Sequence, residues 1–156
     1  MLYHTIEPVF DRNSKVLLLG SFPSPKSRET GFFYGHPQNR FWKVLSAVLS
    51  VREPKTVSEK REMLLLNGIA LWDVLLSCEI DGASDSSIRN ASVNDFSRIT
   101  DVAEIRAVYA TGRTAAKLYR RFTGNSITAL PSTSPANCAC PLEKLIEAYR
   151  VILQFC

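Results

Sequence analysis

The sequence predicts an α/β domain in which a short, mainly parallel sheet of four strands carries helices on both faces. Short apolar runs, typical of buried parallel strands, recur along the chain. Amphipathic stretches with the apolar spacing of helices separate these runs. The 156 residues suit a single domain, 1–156, that buries a substantial core, and no repeat or linker divides them.

The first half of the chain contains two predicted strands and two predicted helices. Val16–Gly20 is an uninterrupted apolar run that ends in glycine, which indicates the first strand. An apolar stripe at helical spacing predicts a helix that begins at Phe41. The capping-box pattern at positions 56 and 59 predicts a second helix through Leu66. Gly68–Val74 is predicted as the second strand.

The second half continues the alternation of helix and strand. Polar residues at positions 92 and 95 predict the cap of a third helix, with Ile99 facing inward. Ala107–Thr111 is predicted as the third strand, and an amphipathic helix follows it. Ser126–Leu130 is predicted as a short fourth strand. Pro141 suits the first turn of a last helix, whose inward face is expected to extend to Leu153.

Parallel sheets of this kind bind ligands beyond the carboxyl ends of their strands. The loops expected at that edge are Ser21–Asn39, Asp73–Asn90, Thr111–Arg113 and Pro131–Cys140. The two loops richest in polar and aromatic residues therefore lie on one edge. A functional site is predicted there.

Composition excludes several classes of protein. Hydrophobic residues make up 46% and charged residues 22% of the chain, which is typical of a globular fold and argues against disorder. No apolar run approaches the length of a membrane span, and the N-terminus lacks the apolar segment of a signal peptide. We therefore expect a cytoplasmic protein, associated with the nucleoid in a bacterium or archaeon, without a membrane partner.

The four cysteines are too few and too irregular for a disulfide framework. Cys138 and Cys140 lack the two-residue gap of common metal-binding knuckles. Free thiols are therefore expected, with no metal site and no cofactor.

A net charge of +4 permits a polyanionic partner without demonstrating one. Basic residues form two clusters, one on a predicted helical face and one flanking the aromatic loop described below. The clusters are Arg113, Lys117, Arg120 and Arg121, and Lys26, Arg28, Arg40 and Lys43. Each cluster alone is accounted for by a solvated surface, but basic residues beside a loop of aromatic residues favour nucleic acid.

The segment Gly31–Trp42 is the most informative part of the sequence. Before the helix begins, it combines three aromatic residues, two glycines, a histidine, a proline and an asparagine. Glycine lets a backbone approach a ligand closely, and exposed aromatic faces stack on bases. A core needs no such mixture, so this loop is predicted to belong to the site.

Two familiar motifs are absent. Gly20–Ser24 follows a strand but contains neither the Gly-x-Gly-x-x-Gly of dinucleotide-binding folds nor the Gly-x-Ser-x-Gly of hydrolases. Serines 21, 24 and 27, with His36 as base, leave a serine hydrolase as a minor alternative, although no carboxylate is placed to complete a triad.

The motifs that are present resemble those of the uracil-DNA glycosylase superfamily. Gly20–Ser24 (GSFPS) resembles its first motif, a strand followed by Gly-x-x-Pro. Tyr34–Val44 (YGHPQNRFWKV) closely resembles the matching stretch of mismatch-specific uracil-DNA glycosylases. Leu130–Pro135 (LPSTSP) resembles the second motif, a Pro-Ser loop that engages the DNA strand. The resemblance extends over nearly the whole chain, and it implies a monomeric enzyme of the uracil-DNA glycosylase fold that acts on DNA containing a damaged base.

One departure from the family pattern narrows the function. Many members carry Asp or Asn at the position of Phe22, where that residue positions the attacking water. Phe22 together with Asn39 resembles the hypoxanthine-DNA glycosylase branch, in which the Asn of the His-Pro-x-Asn segment is implicated in catalysis. Gly82–Ile88 also resembles that branch. The resemblance therefore implies excision of hypoxanthine. Excision of uracil or of a mismatched base is the first alternative, and a non-catalytic nucleic-acid-binding module is the second alternative.

Base excision requires that the target base leave the helix and enter a pocket, and this requirement suggests a role for each residue. Tyr34 is predicted to stack under an extruded base, with Phe22 as a second wall and Ser21 beside them; core packing is the alternative for both rings. Asn39 is predicted to hold the attacking water through its amide oxygen, and it also suits a helix cap. His36 is predicted to donate to the leaving base or a phosphate, or to form a hydrogen bond within its loop.

Two further groups complete the predicted site. Asp73 ends the second strand, and its carboxylate would accept a hydrogen bond from the N1–H of hypoxanthine. Adenine presents only an acceptor at N1 and would not form this bond. The alternative role for Asp73 is to cap a turn. In the last loop, hydroxyl groups are predicted to contact phosphates, and two small residues are placed where a wedge could fill the vacated space. These residues are Ser132, Thr133, Ser134, Ala136 and Asn137. A polar turn is the alternative for the loop.

Overall fold

The computed structural model describes residues Met1–Cys156 and contains seven strands in two sheets. The strands are β1 (Leu2–Tyr3), β2 (Val16–Gly20), β3 (Ile69–Asp73), β4 (Leu75–Asp81), β5 (Ser84–Val93), β6 (Ala107–Ala110) and β7 (Thr128–Ala129). Strands β2, β3, β6 and β7 form the predicted parallel sheet, in the order β3-β2-β6-β7. All residues of β2 and β3 are buried, as the apolar runs that form β2 and the first four positions of β3 predict.

Six α-helices accompany the sheets. They are α1 (Pro25–Thr30), α2 (Phe41–Leu49), α3 (Val57–Leu66), α4 (Ser97–Thr100), α5 (Arg113–Thr123) and α6 (Leu142–Tyr149), and short 3-10 helices span Pro135–Asn137 and Arg150–Gln154. Helix α3 contacts β3, and α5 contacts β6 and β7. The connections from β2 to β3 and from β6 to β7 run in opposite directions along the sheet, so the right-handed rule for parallel crossovers puts their helices on opposite faces. Helix α6 packs on α2, and α5 contacts β5. The three-layer α/β prediction is confirmed.

The second sheet was not predicted. The segment expected to be a loop, 73–90, instead forms most of an antiparallel hairpin of β4 and β5, to which β1 adds as a third strand. The register of the hairpin shifts repeatedly, and its tip is exposed and polar. Because an irregular, solvent-exposed hairpin needs no apolar alternation on β5, the sequence carried little signal for it.

Smaller departures concern the helices. The loop predicted at 21–39 contains α1, which Ser24 caps by accepting from the main-chain N–H of Ser27 at 3.2 Å. The third predicted helix is a single turn, and Asp95 rather than Ser92 accepts from its first residues. Leu153, expected to face inward, is exposed because the chain tightens into a 3-10 helix after Tyr149 and presents Ile152 to the core instead.

No helix is long and apolar enough to cross a membrane. No three His, Cys, Asp or Glu side chains converge on a point where they would hold a metal ion. The four cysteines form no disulfide, and Cys78 lies in the core.

Candidate active site

A cavity of about 120 Å³ opens at the carboxyl ends of β2, β3 and β6. The chain leaves β2 toward β3 on one side and leaves β6 toward β7 on the other, so the cavity lies at the switch point where such sheets bind ligands. It is smaller than the roughly 300–1,000 Å³ of pockets for drug-sized ligands, and so fits a small flat molecule. The cavity wall includes Phe22, Tyr34, Asn39, Asp73, Asp85 and Thr111.

Gly20 makes the closed end of the cavity possible. It pairs with Asp73 across β2 and β3, so the two residues end their strands side by side. A Cβ atom at position 20 would lie 2.4 Å from Asp73 Oδ1 and 3.0 Å from the Tyr34 hydroxyl oxygen. Only glycine therefore allows the carboxylate and the phenol to approach the end of β2 together.

Asp73 lies at this closed end, as predicted, and a histidine that the sequence analysis did not single out holds it there. His4 Nε2 lies 2.8 Å from Asp73 Oδ2, and the two side chains are only 1% and 6% exposed. Asp73 Oδ1 accepts no hydrogen bond within the protein and is not sealed in the interior. Because Asp73 borders the cavity, Oδ1 is an acceptor available to a ligand.

Tyr34 forms one wall of the cavity. Its ring stacks on Phe41, with centroids 4.0 Å apart and planes 15° apart, and its hydroxyl group lies 2.6 Å from Thr111 Oγ1. Its φ of +51° is unusual for a bulky residue and turns the ring toward the sheet. Burial, followed by the charge of Asp73, raises the pKa of the Tyr34 hydroxyl well above its usual value, so the group remains a neutral phenol.

Other aromatic residues of this loop serve the core. Phe32, Phe33 and Trp42 are buried and pack on one another, and Trp42 Nε1 donates to the Phe33 carbonyl oxygen at 3.1 Å. Phe22 borders the cavity but is 8% exposed, with the Arg28 guanidinium 5.7 Å from its ring centroid. The aromatic faces expected to be exposed in this loop are therefore largely interior.

Asn39 borders the cavity, but its amide oxygen is already occupied. Oδ1 accepts from the main-chain N–H of Phe41 at 2.9 Å, at the start of α2, and from the Thr133 hydroxyl group at 2.8 Å. Both lone pairs are therefore engaged, which corrects the prediction that this oxygen holds the attacking water. The Asn39 amide nitrogen has no protein partner and is left as a donor at the cavity.

His36 lies outside the cavity. It is exposed, and its Nδ1 accepts from the main-chain N–H of Gln38 at 3.1 Å. It borders a shallow surface groove that also contains Lys43, Lys55 and Lys60. Of the roles predicted for His36, the hydrogen bond within its loop is present, and the position among cations suits a phosphate better than a base.

The loop after β7 approaches the cavity from the opposite side. Thr133 is 1% exposed and its hydroxyl group holds Asn39, so it positions that residue and does not face a phosphate. Ser132 and Ser134 border the cavity, although each hydroxyl oxygen accepts a main-chain N–H two residues along the chain. Asn137 donates to the Ser132 carbonyl oxygen at 2.8 Å, and Ala136 is exposed.

Some residues of the two basic clusters form hydrogen bonds within the protein, whereas others are exposed and have no ion-pair partner. The Arg40 guanidinium donates to the carbonyl oxygens of Cys140 and Asn137, and so ties the two loops together. Arg28 donates to the Pro23 carbonyl oxygen, and Arg120 to that of Ile127. Arg113 and Lys43 are exposed and form no ion pair, which leaves them free for a polyanion.

Asp85 is a second site residue that sequence reasoning missed. It lies at the tip of the β4–β5 hairpin, borders the cavity, and accepts from the Ser21 hydroxyl group at 3.0 Å. Partial desolvation raises the pKa of this carboxyl; the bond from Ser21 opposes the rise and the charge of Asp73 adds to it. The only signal in the sequence was the resemblance of the Gly82–Ile88 segment.

A comparison with known families decides the identity of the chain. The model of the uracil DNA glycosylase superfamily matches residues 7–151. The chain belongs to this superfamily. Its members are DNA N-glycosylases, hydrolases that act on N-glycosyl bonds, and the protein is an enzyme of that class.

Individual relatives agree with this assignment. A hypoxanthine DNA glycosylase of Methanosarcina acetivorans is 33% identical over 141 residues, 88% of this chain and 89% of that protein. One from Methanosarcina barkeri is 33% identical over 134 residues, 83% and 85% of the two chains. A solution NMR structure of a candidate uracil DNA glycosylase from Methanosarcina acetivorans matches with a TM-score of 0.79 and 29% identity, over 97% of this chain and 99% of that one.

The superfamily assignment leaves little support for the alternatives. None of the hydroxyl groups of Ser21, Ser24 and Ser27 forms a hydrogen bond with a histidine, so no serine nucleophile is activated. Membership of an enzyme family also argues against a module that only binds nucleic acid.

Proposed function

We propose that this glycosylase excises hypoxanthine from DNA by hydrolysing the N-glycosidic bond of an extruded deoxyinosine. The observation that carries the proposal is the unpartnered acceptor Asp73 Oδ1 at the closed end of the cavity. Hypoxanthine offers N1–H to such an acceptor, whereas adenine has a bare acceptor at N1, and two facing acceptors repel. The two relatives named hypoxanthine DNA glycosylases support the same substrate.

The cavity supplies the groups that base excision requires. An extruded base is held between flat walls, and the free face of the Tyr34 ring, backed by Phe41, provides one of them. Negative charge develops on the leaving base as the bond to the sugar breaks. The Asn39 amide nitrogen is the donor placed to stabilise that charge, because its oxygen is fixed by Phe41 and Thr133.

Phe22 supports hypoxanthine over uracil as the preferred base through the branch of the superfamily that it indicates. A carboxylate acceptor at Asp73 would also fit the N3–H of uracil, so Asp73 selects deaminated bases without separating them from each other. Phe22, packed near His4 and Arg28, presents no polar atom where other superfamily members are expected to position water. Because Phe22 together with Asn39 resembles the hypoxanthine-DNA glycosylase branch, this departure favours hypoxanthine, and uracil excision remains the alternative function.

The experiment is a base-release assay on otherwise identical duplexes that carry hypoxanthine, uracil, xanthine or a thymine mismatch, in the presence of EDTA. We expect release of free hypoxanthine with an abasic site left behind, and much slower release of uracil. Uracil release that equals or exceeds hypoxanthine release would overturn the substrate assignment. Failure to release any modified base would instead favour the hypothesis of a non-catalytic nucleic-acid-binding module.

A further inference from the structure

Hydrolysis requires an acceptor for the proton of the attacking water, and the groups expected to provide it are not available. Phe22 is apolar, and both lone pairs of Asn39 Oδ1 accept hydrogen bonds from Phe41 and Thr133. Two carboxylates border the cavity, those of Asp73 and Asp85. Asp73 is buried at the closed end and hydrogen-bonded to His4, where it faces the base and not the solvent.

Asp85 has the position that a water-activating group needs. It lies where the cavity meets the adjoining open groove, so both spaces share its side chain. The Ser21 hydroxyl group donates to Oδ1 at 3.0 Å and fixes the carboxylate against the loop that follows β2. An ionised carboxylate can accept about four hydrogen bonds, so with Ser21 and Thr114 as its protein donors Asp85 keeps acceptor positions for a water molecule entering from the groove.

We propose that Asp85 is the catalytic base of this enzyme and that Ser21 positions it. This inference rests on the proposed function. As the bond from C1′ of the sugar to the base breaks, its electron pair leaves with the base. The water oxygen forms a bond to C1′, and the water proton passes to the Asp85 carboxylate and from there to solvent. The departing base takes up a proton from solvent, so one water is consumed for each base released.

The surroundings of Asp85 suit this role. Partial desolvation raises the pKa of its carboxyl above the usual aspartate value, which makes the carboxylate a stronger proton acceptor than an ordinary surface aspartate. Asp73 across the cavity is the charged group that adds to the rise, and hydrogen bonds from the Ser21 and Thr114 hydroxyl groups oppose it. The titratable side chains of Tyr34 and Cys78 also interact with Asp85. A base must be unprotonated, so the excision rate should increase as pH rises through the pKa of Asp85.

The test is single-turnover excision of hypoxanthine by the full-length protein carrying Asp85→Asn, measured from about pH 4 to pH 8, a window that begins near the usual aspartate pKa and extends upward in the direction of the shift. We expect the rate above the pKa to fall by at least about 100-fold, the lower end of the usual effect of a general base. The pH-dependent rise should disappear, and affinity for the same duplex should remain. Asp81→Asn is the matched control, because Asp81 lies on the same hairpin, outside the cavity, and its carboxylate forms an ion pair with Arg89.

The outcomes separate this inference from the proposed function. A wild-type rate for Asp85→Asn, with hypoxanthine still released, would overturn the role of Asp85 and leave the substrate assignment intact. A slower variant that keeps the wild-type pH dependence would assign Asp85 to hairpin structure and also overturn the proposal. A wild-type enzyme that releases no hypoxanthine but releases uracil would refute the substrate, and the same variant would then be measured on uracil.

Discussion

At the scale of single residues, Asn39 combines a structural and a chemical function in one amide. The oxygen closes the start of α2 and receives the Thr133 hydroxyl group, while the nitrogen remains at the cavity. Truncation to alanine removes all three interactions and cannot separate them. The two halves of the amide can be separated by an isosteric change, since aspartate keeps both acceptor contacts and replaces the donor with a negatively charged acceptor.

We predict that Asn39→Asp and Asn39→Ala both lower single-turnover hypoxanthine excision at least tenfold, about 1.4 kcal/mol of transition-state stabilisation. DNA affinity should change much less. Only Asn39→Ala should also lower the melting temperature, because it removes the hydrogen bonds that Oδ1 accepts from Phe41 and Thr133, each worth about 0.5–1.5 kcal/mol. Rapid-quench kinetics and thermal unfolding measure the two effects. A full-rate Asn39→Asp variant would leave Asn39 with the structural role alone.

Asp73 is expected to recognise the base, whereas Asn39 is expected to stabilise it as it leaves. Asparagine at this position keeps one oxygen for His4 and places an amide donor where Oδ1 now borders the cavity. A donor that faces N1–H of hypoxanthine is mismatched, so Asp73→Asn should weaken the preference for hypoxanthine by about 1–3 kcal/mol, the cost of one buried hydrogen bond. The ratio of affinities for the hypoxanthine duplex and for the same duplex with adenine measures the change, because of these two bases only hypoxanthine presents N1–H. An unchanged ratio would remove Asp73 from base recognition.

At the scale of elements, the sequence predicted the strands of the parallel sheet well because burial on both faces leaves a distinct pattern. Val16–Gly20 was predicted with its observed bounds, and Gly68–Val74 was one residue too long at each end. Both are short apolar runs bounded by polar or glycine residues, a pattern typical of strands that are buried on both faces. The fourth strand is shorter than predicted because β7 lies at the edge of the sheet, where only one neighbour pairs with it.

The antiparallel hairpin shows where such reasoning fails. Strand β5 is exposed along most of its length, and repeated shifts of register interrupt its pairing with β4. Its stability comes from cross-strand pairs such as Ser77 with Ser92, and a polar sequence of that kind also suits a loop. Because the segment that contains Asp85 was predicted to be a loop and not a hairpin, the sequence analysis could not place Asp85 beside the cavity.

At the scale of the whole molecule, the location of the site was predictable, whereas several of its contacts were not. The edge of the sheet follows from strand order, which brought Gly20, Asp73 and Thr111 together. His4 lies near the N-terminus, 69 positions before its partner Asp73, and nothing local signals that pair. Arg40 likewise donates to the Asn137 carbonyl oxygen, 97 positions away, and so joins the loop before α2 to the loop after β7. Contacts at such separations depend on the completed fold.

The charge of the molecule provides the last prediction. The formal charge is +4, but Arg28, Arg40 and Arg120 are engaged by carbonyl oxygens, so fewer cations face DNA than the sequence suggests. Arg113 is free and lies beside the groove that leads into the cavity. Arg113→Gln should weaken binding to hypoxanthine-containing and unmodified duplexes by the same factor, since a phosphate contact carries no information about the base.

The same variant should reduce the slope of log affinity against log salt by about 1, the effect of one lost phosphate contact. Fluorescence anisotropy with both duplexes, titrated from low to physiological salt, measures this slope. Arg12→Gln is the control, because Arg12 is equally exposed and lies before β2, at the opposite end of the sheet from the cavity. An unchanged slope, or a loss confined to the hypoxanthine duplex, would show that Arg113 does not contact the phosphate backbone.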